Sequence, residues 1–193
     1  MITVSKKILL ALSGLCLCLL FSAIFFSCSK GSDKATTIIK CVTCANGGSC
    51  INDTCRCPAG YEGTTCQTQS RQKFVNEWQV TENSAVNGAV SYQTFIEANS
   101  STGDITSVFI GQLYEDYFNS LSGYVTGDSI YIPLQTQGTK SIVGVGYIHS
   151  GGLIGTNGLI TMRYQVTELT TGAVDDFGYN RTDGTSPSQW TAQ

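Results

Sequence analysis

Charge is scarce in this chain. Asp, Glu, Lys and Arg make up only 13% of 193 residues, proline occurs three times, and apolar residues reach 41%. That balance excludes a disordered chain and a coiled coil, both of which need far more charge to stay solvated. Basic residues are scarcer still. From Lys73 to the C-terminus only Lys73, Lys140, Arg163 and Arg181 stand against eleven carboxylates. Phosphate backbones would be repelled, so no nucleic-acid partner is expected. Histidine is nearly absent too. His149 is the one copy, and no cysteine follows Cys66, so nothing in the C-terminal part has the spacing of a nucleophile, base and orienting acid. Gly-x-Ser-x-Gly is missing. Adjacent acids at Glu115-Asp116 and Asp175-Asp176 would point to opposite faces of a strand, and they read as solvated loop acids. No catalytic residue, cofactor or metal is expected.

The chain is rich in glycine and cysteine, with 21 and nine copies. Its length leaves room for one ordinary domain plus a small one. Lys6 and Lys7 precede an apolar run from Ile8 to Phe26, then Ser27 and Cys28, the layout of a secretory leader. An apolar run of that length also suits a retained signal anchor. The segment Phe25-Phe26-Ser27-Cys28 resembles the lipobox of bacterial lipoproteins, with Phe25 and Phe26 standing where that family prefers leucine and a small residue. The resemblance implies cleavage after residue 27, a multiply acylated Cys28 and an outer-membrane location in the cell envelope, periplasmic or surface-exposed. Cysteine counting agrees. Cys16 and Cys18 leave with the leader, six others form an even set, and Cys28 alone is left over. One acyl chain holds a protein only marginally, so two or three are needed for a lasting anchor. Residues 28–40 would then be a lipidated terminus and polar tether, reaching roughly 20 Å as a random coil.

Residues 41–66 hold Cys41, Cys44, Cys50, Cys55, Cys57 and Cys66 among few large apolar groups. So short a unit cannot build a core and depends on covalent staples. Spacing alone leaves fifteen pairings open, and Cys41-x-x-Cys44 with Cys55-x-Cys57 also has a zinc-like or redox-like look, which export to an oxidising compartment argues against. Asn46-Gly47-Gly48, Cys55-x-Cys57, Pro58, Gly60-Tyr61 and Gly63 resemble the epidermal-growth-factor-like (EGF-like) family. The resemblance implies Cys41–Cys50, Cys44–Cys55 and Cys57–Cys66. Calcium-binding members carry acids before the first cysteine. Thr36 to Lys40 has none, so no calcium is expected.

After a polar linker at 67–72, residues 73–193 show turn signals at Asn87-Gly88, Gly103, Gly127-Asp128, Asn157-Gly158 and Gly172, with short alternating runs between them. The clearest are Ser129–Leu134, with Ile130, Ile132 and Leu134 on one face, and Ile160–Val166. Phe74–Val80, Val90–Ala98, Ile105–Ile110, Leu121–Thr126 and Ile142–Ile148 fit less cleanly. Pro133 suggests an edge or bulge, and Leu113–Asn119 a helical turn or a loop packed on a barrel end. The fold class is mainly β: a disulfide-rich module, then an antiparallel barrel or sandwich. Phe74-Val75-Asn76-Glu77-Trp78 resembles the first strand of lipocalin-like domains, with Asn76 in place of the signature glycine. That resemblance implies a barrel closed by Trp78 against Arg163. The function expected is non-catalytic recognition by a membrane-anchored lipoprotein, of a protein, a glycan or a small ligand. The alternative is a lipocalin-like carrier of a small apolar ligand; an envelope enzyme ranks below both.

Overall fold

Tight turns and disulfides, in place of a core, organise the first part of the computed structural model, which describes residues 43–149, 158–180 and 185–193. The expected leader at 1–27, Cys28 with its tether, and Cys41 lie outside the described residues. Strand β1 (Ser49–Ile51) pairs antiparallel with β2 (Thr54–Arg56). Asn52 and Asp53 turn the corner at φ 50° and 58°, left-handed values that these two side chains tolerate better than most. Asn46 Nδ2 donates to the Cys66 carbonyl at 2.8 Å, tying the first loop to the last cysteine. Then β3 (Tyr61–Glu62) pairs with β4 (Thr68–Gln69).

Residues 68–73 do more than join. After β4 comes a 3-10 turn, Ser70–Lys73. The Ser70 amide donates to the Gly60 carbonyl at 2.9 Å. Arg71 Nη1 reaches three carbonyls of the C-terminal domain, those of Asn99, Asp104 and Ser107, at 3.0–3.3 Å. Lys73 Nζ bridges Glu62, at 2.8 Å, and Asp128. Burial works against the Lys73 charge, but its hydrogen bonds to Asp128 and Glu62 overcome that and hold its pKa above the ordinary lysine range.

The rest of the chain forms β5 (Asn76–Ser84), β6 (Gly88–Ala98), β7 (Ser107–Gly111), β8 (Leu121–Thr126), β9 (Ser129–Gln137), β10 (Lys140–His149), β11 (Leu159–Glu168), β12 (Val174–Asp176) and β13 (Ser188–Ala192). Strands β5 to β11 pair as a meander, β11 pairs with β13, and β13 returns to β5. The result is an eight-stranded antiparallel barrel and not a sandwich; β12 lies beside β11 past the end of β13. Alternation supplies the bore: Trp78 and Val80, Thr94 and Ile96, Val108 and Ile110, Ile142 and Ile148, Ile160, Met162, Tyr164 and Val166, and Trp190 are all buried.

Leu134 departs from the expected pattern, being 72% exposed. Opposite Ile142 stands Gln135, and opposite Gly144 stands Ile132, so three steps on β9 face two on β10. The bulge contains Pro133, which has no N–H for the ladder, and it turns Leu134 outward.

Both barrel ends are covered. On the side of the cysteine module, buried Phe74 packs beneath the 3-10 turn, and its carbonyl accepts the Trp78 indole N–H at 2.9 Å. At the other end, residues 112–118 fold into a loop and not a helical turn. Leu113 bridges Phe118, and both are fully buried. Gln112, Tyr114, Glu115 and Asp116 all have φ between 53° and 68°, a run of left-handed non-glycine residues that only tight packing sustains.

Packing in the bore is close. A methyl group added at inward-facing Gly146 would stand 2.8 Å from Ile130 Cγ2 and Met162 Cε; one at Gly144 would stand 2.7 Å from Tyr164 Cβ. Gly146→Ala is therefore expected to cost about 1–3 kcal/mol, measured as a lower urea midpoint at unchanged slope; an equally stable variant would reveal spare room. Lys73→Met keeps the stem and deletes the bridging charge. It should cost about 1–2 kcal/mol, between the values for exposed and buried ion pairs, and an unmoved midpoint would mean that water satisfies Glu62 and Asp128 equally well.

Candidate functional site

The residues singled out from the sequence fall in separate places. Cys44 joins Cys55, with an S–S distance of 2.03 Å, and Cys57 joins Cys66 at 2.09 Å. Cys50 is also disulfide-bonded, to a partner outside the described residues. Trp78 and Arg163 do not meet. Trp78 faces the bore, whereas Arg163 alternates with inward Met162 and Tyr164 and so faces out, its Nη1 donating to the Gly178 carbonyl at 3.1 Å. His149 ends β10 on the module side, its Nε2 lying 2.8 Å from Thr161 Oγ1. Among the described residues no group of three His, Cys, Asp or Glu converges as a metal site.

Asp175 and Asp176 are buried and not solvated, at 3% and 5% exposure. Asp175 faces inward, where Oδ2 accepts the hydroxyls of Ser84 (2.5 Å) and Tyr114 (3.0 Å), and Oδ1 accepts the Ala85 amide (2.8 Å). Asp176 takes the other face and accepts the Tyr179 amide at 2.7 Å and Asn180 Nδ2 at 2.5 Å.

Near Asp175 lies Glu82, a carboxylate that the sequence reading passed over. The alternation Trp78, Val80, Glu82, Ser84 puts it inside the barrel, and that parity was its signal. Its Oε1 accepts the hydroxyls of Tyr92 (2.8 Å) and Tyr164 (2.7 Å). Oε2 is buried without a hydrogen-bond partner among the described residues. Burial pushes the Glu82 carboxyl above the ordinary carboxylate range; the neighbouring hydroxyls of Ser188, Tyr164 and Tyr92 oppose this, and Asp175 adds to it. Burial, with the carboxylates nearby, also raises the phenols of Tyr92, Tyr114 and Tyr164, which serve as hydrogen-bond donors. The Tyr114 amide donates to the Tyr92 oxygen at 3.0 Å. The cluster thus latches the strained 112–116 loop over the bore, with most of its polar atoms committed to one another.

The open volumes are elsewhere. A groove of about 460 Å³ at the rim is lined by Ser91, Tyr92, Gln112, Glu115 and Asp116. Another, of about 520 Å³, lies along β6 beside Glu77, Gln93, Phe95 and Glu97. On the outer wall Tyr124 stacks on Tyr131 with ring centroids 4.9 Å apart, and Tyr147 meets His149 edge-on at 5.1 Å. Comparison with protein-family models, curated proteins and solved structures finds no match for this chain. What the fold and site define is an eight-stranded barrel compatible with binding or carriage.

Because folding holds the Glu82 proton more tightly than the unfolded chain does, its stabilising contribution is complete below about pH 4.5 and is lost as pH rises through the raised folded value. Glu82→Gln has no proton to lose. Its melting temperature should gain on that of the wild type as pH rises above about 4.5, measured by circular dichroism; parallel profiles would contradict a raised Glu82.

Proposed function

We propose that this chain is an exported, lipid-anchored protein of the bacterial cell envelope that binds its partner on the outside of the barrel and catalyses nothing. The anchoring rests on the lipobox-like Phe25-Phe26-Ser27-Cys28 and on Cys28 as the odd cysteine. The stapled module, read as EGF-like, serves as a rigid spacer bolted to the barrel through Arg71 and Lys73.

The observation that carries outward binding is the filled bore. Trp78, Tyr164, Phe118, Phe177 and Trp190 are among its largest fully buried side chains, and a carrier needs that space for ligand. The strand order, an antiparallel meander of eight, is nonetheless consistent with a lipocalin-like barrel, so carriage of a small apolar ligand is the second reading.

The anchor is tested by labelling producing cells with a palmitate analogue and taking intact masses of wild type and Cys28→Ala. Label and diacylglycerol-sized mass are expected in the wild type alone; an unlabelled wild type that retains residues 1–27 would overturn the lipoprotein reading. Outward binding is tested with 11-(dansylamino)undecanoic acid. No saturable fluorescence gain is expected, and a one-to-one micromolar complex would favour the carrier.

A further inference from the structure

We infer that the outer wall formed by β8 to β11 is a binding face for a neutral saccharide chain, an inference that rests on the outward-binding reading above. Strand register aligns two rows across this wall. Tyr124, Tyr131, Val145 and Arg163 form one, and Thr126, Ser129, Tyr147 and Thr161 the next, continued by Gln189 of β13. Within an antiparallel sheet such neighbours lie side by side on one face, so the tyrosines form a single surface. Tyr124 is 42% and Tyr147 47% exposed, which leaves ring area facing solvent.

Its composition decides the ligand class. Aliphatic contact is sparse in these rows: Val145 is half-buried, and Leu134, the exposed aliphatic of β9, lies outside both of them. Within the two rows a lipid surface or a hydrophobic peptide would find no aliphatic anchor. Carboxylates are absent from the rows, and their one permanent charge, on Arg163, is directed to the Gly178 carbonyl. Neither a cation nor a polyanion has a counter-charge to seek. The wall offers aromatic rings bordered by hydroxyls and amides, Thr126, Ser129, Thr161 and Gln189. A neutral pyranose chain presents the matching pattern, an apolar C–H face that lies on a ring and equatorial hydroxyls that exchange hydrogen bonds at its edge. The convex wall buries little of any ligand, so single-site affinity should be weak, in the range that display of many copies on a membrane turns into firm attachment.

The test uses the full mature chain titrated with cellohexaose, laminarihexaose, maltohexaose and mannohexaose, with trigalacturonate as anionic control, followed by amide chemical shifts. At least one neutral hexasaccharide should bind, with shifts centred on residues 122–131, 145–149 and 159–163. Tyr147→Ala and Tyr124→Ala, which should still melt cooperatively within a few degrees of the wild type, should each weaken it about fivefold, and Leu169→Ser should not change it. No shift with any neutral probe overturns the proposal, as does trigalacturonate binding equally well. Shifts confined to bore residues overturn both this proposal and outward binding. Self-association abolished by Tyr147→Ala, without sugar binding, makes the occupant a second copy and leaves only the outward reading standing.

Discussion

Closure of the sheet is the constraint from which the rest follows. When β13 pairs on one side with β11 and on the other with β5, no strand of the barrel is left as an edge, and every second residue is committed to one enclosed interior. Eight strands enclose a bore just wide enough for side chains to fill. Here two tryptophans, Tyr164 and a set of isoleucines fill it, with small residues where side chains of the flanking strands β9 and β11 lean in, as at Gly144 and Gly146. The same closure makes polar inward positions expensive unless they are paired. Glu82, Ser84 and Asp175 therefore sit among tyrosine hydroxyls and backbone amides at one end, and their bonds hold down a loop whose backbone is strained.

At the opposite end the coupling is ionic and directional. Arg71, on the 3-10 turn, gathers carbonyls from the stretch that leads into β7, while Lys73 links a module acid to the β8–β9 turn. Residues Lys40–Gln193 accordingly make one unit. A stapled module held this way is fixed in orientation against that end of the barrel.

Much of this was legible because alternation and turn chemistry act locally. Ile130 and Ile132, and Ile160 through Val166, declare their strands without help from distant contacts. Strand β13 did not, since Ser188-Gln189-Trp190-Thr191-Ala192 carries a single large apolar residue and exists through the neighbours on either side. Leu134 was misplaced because the bulge beside Pro133 depends on pairing with β10, which no local pattern records. Arg163 was matched to Trp78 by resemblance, although its own parity with Met162 and Tyr164 already assigned it to the outer face. Asp175 looked like a loop acid because its partners Ser84 and Tyr114 reach it only in three dimensions, and Asp176 because its burial depends on a local turn that brings Tyr179 and Asn180 back onto it. Parity did mark Glu82, and a polar residue at an inward position is a signal worth reading.

The central claim is that the bore is solid protein, so that function lies on the outer surface. Xenon pressed into crystals of the mature protein tests it most directly, because an empty apolar cavity large enough for a ligand takes up xenon and a packed interior does not. The account predicts no xenon among Ile130, Ile142, Met162 and Trp190. An ordered xenon atom there would show an unfilled cavity and turn the barrel back into a carrier.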